Sequence, residues 1–532
     1  VGARSFFTNQ SYENWVRENG GLPRGAKVKY YKGLGTSTST EAKEYFKKID
    51  QLTVKFDDSP GTTKSVVLAF DKTRADARKQ WLENYISNPL PEVKYGDVQN
   101  LKVDDFINLD MINFSIADVK RSIPHVCDGL KPSQRKVMFA CMKRNLVSNE
   151  IKVAQLSGYI SEVSAYHHGE ASLQGTIIGM AHNYVGSNNI NLLEPCGQFG
   201  TRLMGGKDAA SSRYIFTKLS KDATRLFNPS DNSTLNFLDD DGKSIEPEYY
   251  MPILPVVLVN GADGIGTGYS TQVPCYNPVD IRANLDRCMA GEAPIPMTPW
   301  YKGFKGTIFK KDDHTWTMLG NYKTSQSGVI TVTELPPGKW TQDYKEHLES
   351  LCDRGKIRSY DNHSTEDSPH FIIRGYDGLD IVKDLGLGKN VHTSNMWLMT
   401  PNGIKKYTCP EEIIVDFFGY RLEHYKKRKH NLLKDYKFQA ELASNKARFV
   451  REVVNESFKI FKRKRADVET DLAHREFKKV QDSWDYLLNI KTVQYTEEAI
   501  AKLKEEEATK MNQYNELKGT KVLSLWQNDL KI

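Results

Sequence analysis

Arg213 and Tyr214 stand side by side behind the stretch GGKDAASS (205–212). A tyrosine hydroxyl has a pKa of about 10, so it is a poor nucleophile at neutral pH. It can attack phosphorus when its proton is removed and the charge developing on the phosphate is held. An adjacent guanidinium does the second job, because its planar fork matches phosphate oxygens. Ala209, Ala210, Ser211 and Ser212 are small enough to let a bulky backbone come close. The two glycines make the approach read as flexible, and Lys207 offers a second phosphate contact. An Arg-Tyr pair in isolation is far more often a surface tyrosine with a neighbouring arginine, so context has to decide.

Other groups are equally open when read alone. YHHGE (166–170) brings Tyr166, His167 and His168 together, a pattern that usually means packed or surface histidines. In CDGLKPSQRKVMFACMKRN (127–145), Pro132 sits where a first helical turn tolerates proline. Lys131, Arg135, Lys136, Lys143 and Arg144 decorate this helix, and Val137, Met138, Cys141 and Met142 give it an apolar side. Such a basic helix either docks on DNA or is simply a solvated surface. Ile265 lies in GADGIGTG, just after an apolar run, and reads as a buried strand end unless the flanking glycines free it. These glycines make no nucleotide loop, since no Gly-Lys-Ser/Thr follows and the dinucleotide spacing is missing. FLDDDGK (237–243) sets Asp239 and Asp241 in an Asp-x-Asp pattern that reads as an acidic turn.

The elements that must hold these residues fall into stretches of different pattern. In 1–58 a strand is expected over Lys27 to Tyr31, a turn at Gly33 and Gly35, and a helix opening at Thr40-Glu41-Ala42. The stretch 59–105 reads as a linker with a strand, SVVLAF (65–70), and a helix on which Leu82 and Tyr85 share a face. Mixed elements fill 106–255, and strands dominate 256–410: PVVLVN, GTIFKK, GVITVTELPPG and HFIIRG. Over 411–532, Ile414, Phe417, Phe418, Arg421, Leu422 and Tyr425 follow three-four spacing. That helix is expected to run through Arg463, with a return helix from Thr496 to near Gly519, together an antiparallel coiled-coil arm. The fold class is multidomain α+β.

The 532 residues carry a net charge of +7, a mild basic excess that hints at a polyanionic partner. Cys127, Cys141, Cys196, Cys275, Cys288, Cys352 and Cys409 form no C-x-x-C pair, which argues for reduced thiols rather than a disulfide frame or a zinc site. No apolar run is long enough to cross a bilayer, so no membrane partner is expected. The first residues, VGARSFFTNQ, lack an initiator Met and read as a cut point in a longer protein.

Long motifs in a fixed order then supply the context: YKGLGTSTSTEAKEYF (31–46), DGLKPSQRKV (128–137), KVAQLSG (152–158), YHHGE (166–170), GSNNINLL (186–193), GQFGTR (197–202) and NGADGIGTGYS (260–270). With them the chain resembles the breakage-reunion region of type IIA DNA topoisomerases, in the eukaryotic-type single-chain branch. The resemblance implies that Tyr214 attacks a DNA phosphodiester and becomes linked to a 5′ end, with Arg213 stabilising the transition state. His168 would touch the reacting region, and Tyr166 and His167 would hold the DNA backbone. Lys72, Lys131, Arg135 and Lys207 would be phosphate contacts, which position DNA without reading sequence. Ile265 would insert between base pairs and bend the duplex.

It also implies a layout: the C-terminal part of a TOPRIM domain (1–58), a linker (59–105), a winged-helix domain (106–255), a tower domain (256–410) and a coiled coil with an exit gate (411–532). DYLLNI (485–490) is the candidate for the gate contact. Two such chains would form a homodimer on double-stranded DNA. The family's Mg²⁺ ligands precede YKGLGT, so no metal site is expected in this chain and the ligands are expected upstream. ATP would serve only the full-length protein. A catalytically retired basic scaffold, or a gyrase-A-like protein borrowing TOPRIM from a partner, are the alternatives; the YKGLGTSTST segment on the same chain speaks against the second. A nuclear enzyme is the first expectation and a large DNA virus the other source. KRKR (462–465) reads as a solvated helix face rather than a nuclear signal.

Overall fold

The computed structural model describes residues 4–531 apart from Arg24, Lys32, Gly33, Leu34, Thr36, Glu92, Lys94, Gly96, Asp97 and Asp241. The turn expected at Gly33 therefore lies outside the described residues. The chain divides into two compact units, one made of 1–123 with 264–271, the other of 124–263 with 272–532.

In the first unit, α1 (Asn9–Glu18) is capped by the Thr8 hydroxyl. Helix α2 (Ser39–Lys47) opens on a capping box in which Thr38 and Glu41 satisfy each other's backbone N–H. Lys27 to Tyr31 forms no strand and joins no sheet among the described residues. Its side chains turn to the helix instead: Lys29 and Tyr31 both donate to the Glu41 carboxylate, at 2.8 and 2.5 Å. Strand β1 (Lys55–Asp57) is followed by SVVLAF, which is helical, α3 (Thr62–Phe70), and not a strand. A short apolar run has too few residues for its period to tell the two apart. Here the buried position is Ser65, bonded to Asp104, while Val66 and Phe70 face solvent.

Helix α4 (Ala75–Ser87) buries Leu82, and β2 (Asn100–Lys102) pairs in parallel with β1. A π-helical turn, Phe106–Met111, leads into α5 (Ile112–Ser122). The Trp81 indole donates to Asn108 in that turn at 2.8 Å. The stretch expected as a linker is thus folded into the unit.

The second unit begins with α6 (Pro132–Lys143), with proline at its first turn. Strand β3 (Ile151–Lys152) runs directly into α7 (Val153–Ser164), followed by α8 (Glu170–Ala181). Strand β4 (Phe216–Thr217) returns antiparallel to β3, and β5 (Phe237–Asp240) pairs with β6 (Lys243–Pro247). PVVLVN is one buried helical turn, α9 (Val256–Val259), not a strand. Four consecutive residues exposed by 3% or less give no alternation to read. Strands β7 (Ala262–Ile265) and β8 (Ser270–Val273) form a hairpin, and α10 (Pro278–Met289) follows.

Strands β9 (Thr307–Lys310), β10 (Thr315–Leu319), β11 (Tyr322–Thr324) and β12 (Ile330–Val332) precede α11 (Thr341–Asp353). Strands β13 (Ser359–Asn362), β14 (Phe371–Arg374) and β15 (Gly388–His392) complete two antiparallel sheets, β15-β10-β9 and β11-β12-β14-β13. Ile330, Val332, Tyr344, Leu348, Phe371 and Ile373 form the core between the four-stranded sheet and α11. The hairpin β16 (Met396–Thr400) and β17 (Gly403–Tyr407) leads to the arm.

Helix α12 (Pro410–Val454) is 45 residues long, which at 1.5 Å per residue spans about 65–70 Å. It stops at Val454 rather than Arg463, because Glu456 turns into the left-handed region at φ 57°. Helix α13 (Arg465–His474) begins only at the last residue of KRKR, so that tetrapeptide is not a helix face. Helix α14 (Glu497–Gly519) returns along α12, and α15 (Val522–Asp529) packs at the arm's foot. DYLLNI belongs to the chain's own core at the arm's far end, where Leu487 is fully buried with Phe449, Phe458, Phe477 and Trp484. The most exposed apolar residues there are Phe461 and Val493.

Candidate active site

Helix α7 has N–H groups at its first turn with no partner inside the helix. Val153 N–H donates to the Ile215 carbonyl at 3.0 Å and Ala154 N–H to the Ser212 carbonyl at 3.1 Å. These two bonds grip the backbone on either side of Arg213 and Tyr214. The pair is left to protrude in a tight turn, closed by Tyr214 N–H to Ser211 O at 2.9 Å. Ile215 is 2% exposed and anchors the turn in the core, while Tyr214 is 71% exposed. The Arg213 guanidinium lies 5.8 Å from the Tyr214 ring centroid. Ser212 donates to Gln174 of α8 at 2.8 Å, and Gln174 donates to Glu170 at 2.8 Å. A free phenol and a guanidinium are thereby presented together on a braced turn.

The glycine stretch ahead of the pair is packed rather than flexible. Gly205 (φ 62°) lies under the Trp340 indole, where a Cβ would overlap the ring. Gly206 (φ 83°) abuts His182, and a Cβ at Gly200 (φ 98°) would meet the Gly206 Cα at 2.5 Å. Asp208 closes the loop by accepting from Thr201 N–H at 2.9 Å and its hydroxyl at 2.5 Å. Buried Arg202 pairs with Glu334 and donates to Leu335 O at 2.9 Å. Lys207 is exposed on the same loop. Gln174, Arg202, Glu334 and Trp340 all hold this site, and none was singled out from sequence. Arg202 sits within GQFGTR and Trp340 directly after PPGK, and only there could a signal have been found.

Ala165 (φ 48°) turns the chain at the far end of α7. Tyr166 is buried, and its ring meets His168 edge-on at 5.4 Å. His167 and His168 are exposed just before α8, the helix that carries Gln174 to Ser212. Lys131 precedes α6 and is half-buried; that burial lowers its ammonium pKa. Arg135, expected as a phosphate contact, is 6% exposed and forms a two-pronged ion pair with fully buried Asp128 at 2.7 and 3.1 Å. Its charge is already used inside the protein. Lys136 likewise pairs with Glu246 at 2.7 Å. The basic face of α6 is thus partly an internal ion-pair system.

In the first unit, Lys72 is exposed in a short turn, Lys72–Arg74. Ile265 is 80% exposed, which removes the buried reading. The hairpin around it is held firmly. A Cβ at Gly266 would meet Val119 Cα at 3.1 Å, and Thr267 donates to Asp118 through N–H (2.9 Å) and hydroxyl (3.0 Å). Tyr269 donates to Glu83 at 2.9 Å. A rigid tip thus carries one large apolar side chain into solvent.

The described residues offer no group of three His, Cys, Asp or Glu side chains placed to hold a metal. Asp239 accepts from Gly242 N–H at 3.0 Å as part of a hairpin turn, and Asp241 lies outside the described residues. The described residues therefore do not fit a metal centre.

The family model for the A-type chain of DNA gyrase/topoisomerase IV matches residues 121–531, and that for the C-terminal associated domain of TOPRIM matches 2–119. The chain belongs to the type IIA DNA topoisomerases. It is 45% identical over 498 residues to DNA topoisomerase 2 of Arabidopsis thaliana, covering 89% of this chain and 33% of that protein. It is 40% identical over 552 residues to the mitochondrial DNA topoisomerase 2 of Dictyostelium discoideum, covering 99% and 42%. The crystal structure of the Plasmodium falciparum topoisomerase II DNA-binding, cleavage and re-ligation domain superposes with a TM-score of 0.85 at 39% identity, covering 99% of this chain and 76% of that one. The chain thus spans about a third to two fifths of the length of these curated relatives.

Proposed function

We propose that this chain carries the DNA cleavage and rejoining chemistry of an ATP-dependent type II topoisomerase. The observation that carries the reading is the exposed Arg213–Tyr214 pair, gripped on both sides by the first turn of α7. The Tyr214 oxygen forms a bond to a backbone phosphorus while the bond from phosphorus to the 3′ oxygen breaks. The phenol's proton is lost and the 3′ oxygen gains one, leaving a 5′-phosphotyrosyl link. One phosphate ester replaces another, so rejoining needs no external energy. Arg213 holds the charge on the phosphate, and His168 faces the reacting region. Lys72, Lys131 and Lys207 hold the backbone, and Ile265 wedges the duplex into a bend.

The whole protein would act as a homodimer on double-stranded DNA, each chain cutting one strand so that a second duplex can pass. Enzymes of this family depend on metal in general. We place Mg²⁺, with its ligands, in the TOPRIM portion whose associated domain matches 2–119, and ATP in a separate part of the full-length protein. The nucleus is the proposed compartment. The same match supports a fused chain over one that borrows TOPRIM from a partner.

Covalent trapping tests this. End-labelled DNA, Mg²⁺ and protein are quenched with SDS, using the present chain and a version extended upstream, each with and without Tyr214→Phe. The extended wild type should trap DNA and its Phe variant should not. DNA binding without trapping in any version would replace the cleavage reading with that of a scaffold.

A further inference from the structure

Lys136 lies on α6 among the residues that read as a basic face, yet its side chain is only 16% exposed. Its ammonium pairs with Glu246 of β6 at 2.7 Å and donates to the Ser164 carbonyl. Glu246 is 4% exposed, and its second carboxylate oxygen, Oε2, has no hydrogen-bond partner among the described residues. A carboxylate buried in this way needs the lysine beside it, since an uncompensated charge in a core is costly. The pair is therefore a fixed post, and what it holds is the end of α7.

Ser164 is the last residue of α7, where carbonyls lack partners inside the helix and a cation is favoured. The next residue, Ala165, is left-handed (φ 48°, ψ 49°). Alanine takes that conformation at a cost and keeps it only where its surroundings hold it. The turn reverses the chain. Glu170, the first residue of α8, accepts from the Ser157 hydroxyl at 3.3 Å. Ser157 lies one to two turns before Ser164, about 10 Å back along the helix. The loop 165–169 therefore doubles back along α7, carrying His168 toward the end whose first turn grips the backbone around Tyr214. One end of this loop is fastened by Lys136. The other is fastened by Glu170, and through Gln174 it reaches Ser212.

We infer that Lys136 is a positioning residue for strand cleavage. Backed by Glu246, it clamps the point of reversal at Ser164 and Ala165, and so sets where His168 stands beside the phosphate that Tyr214 attacks. It acts through the loop, and its charge is used inside the protein rather than on DNA. The inference rests on the cleavage reading above and on the role given there to His168.

The test uses the protein extended upstream, with Lys136→Met and Glu246→Leu combined so that no charge is left buried alone. Single-turnover trapping at saturating duplex gives the rate, and fluorescence anisotropy gives the affinity and its salt dependence. The double variant should trap roughly 10- to 100-fold more slowly, the scale of loss from about an ångström of misplacement. Its affinity should stay within a few-fold of wild type. Its slope of log affinity against log salt should match wild type's, since a lost phosphate contact would lower that slope by about 0.9. In a His168→Ala background the same two changes should cost less than about twofold, because residues that act through one another do not add. Amides of 165–169 should exchange hydrogen faster in the double variant. Should that variant fail to fold, Lys136→Gln combined with Glu246→Gln is a second neutral pair, its amide too short to hold Ser164, and it should give the same results.

A full loss repeated in the His168→Ala background would make Lys136 a general support of the fold and overturn the inference. An unchanged rate or unchanged exchange at 165–169 would do the same. A shallower salt slope would assign Lys136 to the DNA backbone and overturn it as well. A His168→Ala protein that traps like wild type would sink the inference while Tyr214-dependent trapping kept the cleavage reading. If wild type traps nothing, both fall together.

Discussion

On the proposed reading, the chemistry at Arg213 depends on a fork rather than on charge alone. A lysine there keeps the charge but loses the bidentate match to phosphate. Arg213→Lys should therefore cut the rate of covalent-complex formation by roughly 10²–10³, the usual cost of a lost transition-state donor, with duplex affinity within a few-fold of wild type. Single-turnover trapping against anisotropy measures the two separately. Arg135 is the opposite case. Its pairing with Asp128 makes it a stability residue, and removing one partner of a buried pair costs about 3–5 kcal/mol. Arg135→Met should lower the urea midpoint strongly while leaving the salt slope for DNA alone in whatever remains folded. From sequence, Arg135 and Lys131 look alike, four residues apart on a basic helix. Only the fold's delivery of Asp128 beneath one of them separates their roles.

Two buried histidines add a pH dependence. His125 stacks on Tyr249 with ring centroids 4.5 Å apart, and His424 bonds the Thr234 hydroxyl at 2.9 Å. Burial pushes both pKa values down from 6.5 to about 4. Around His424, Arg421 and Lys427 lower its pKa further, while Asp231 and Glu423 oppose them. The folded state thus favours the neutral ring, and between pH 6.5 and 4 the unfolded chain binds more protons. Their contribution is present above about pH 6.5 and is lost as the pH falls toward 4. Urea midpoints should drop over that window, and less steeply in His424→Gln; parallel curves would contradict this.

At the scale of elements, the hairpin β7–β8 separates two properties that usually go together. Ile265 contributes almost nothing to the core, so Ile265→Ala should leave thermal unfolding unchanged. It should reduce bending of a duplex carrying a fluorophore at each end, and an unchanged energy-transfer efficiency would remove the wedge role. The loop before Tyr214 makes the reverse prediction. Gly205→Ala must displace Trp340 or the loop itself, so it should depress trapping at saturating DNA at least tenfold, through geometry alone.

The same scale shows why some of the fold was legible and some was not. The helix from Pro132 and the long arm carry either a cap signal or a period sustained over many turns, and both are local. SVVLAF and PVVLVN are four to six apolar residues whose conformation is set by Asp104 or by burial on every side, and neither is written nearby. The arm's end at Val454 depends on a single left-handed residue, Glu456, within a sequence that stays helix-compatible. At the site, Arg213–Tyr214 and Ile265 could be found because long motifs surround them. Gln174 could not, and PPGK gives at most the place of Trp340 and not its role, since each acts through a partner 38 to 135 residues away, Ser212 or Gly205.

At the largest scale, the arm and the segment from Asp231 to Ile253 share one ionic knot. Arg421 of α12, fully buried, grips Asp231 at 2.8 and 3.0 Å. Arg428 and Tyr425 both donate to Asp529 of α15, at 2.7 and 2.8 Å. Trp526 stacks on Tyr425 and donates to Ile253 O at 3.0 Å. One helix root is thereby tied to Asp231, to Ile253 and to the C-terminal helix together. Three residues beyond Arg428, Asn431 adds a bond to Ser233 O at 3.0 Å, so the root of the helix is where a swing of the arm would be felt.

The turn that presents Tyr214 is held from behind by backbone bonds and by Ile215, and the phenol itself supports nothing. On the proposed reading, attaching a DNA end to it should deform no core and leave melting behaviour as it was. On that reading a cut strand would stay tethered for as long as rejoining is delayed, without the protein unfolding. The lifetime of the break is then a matter of chemistry and DNA alignment alone, and anything that disturbs that alignment would turn a well-folded protein into a lasting lesion.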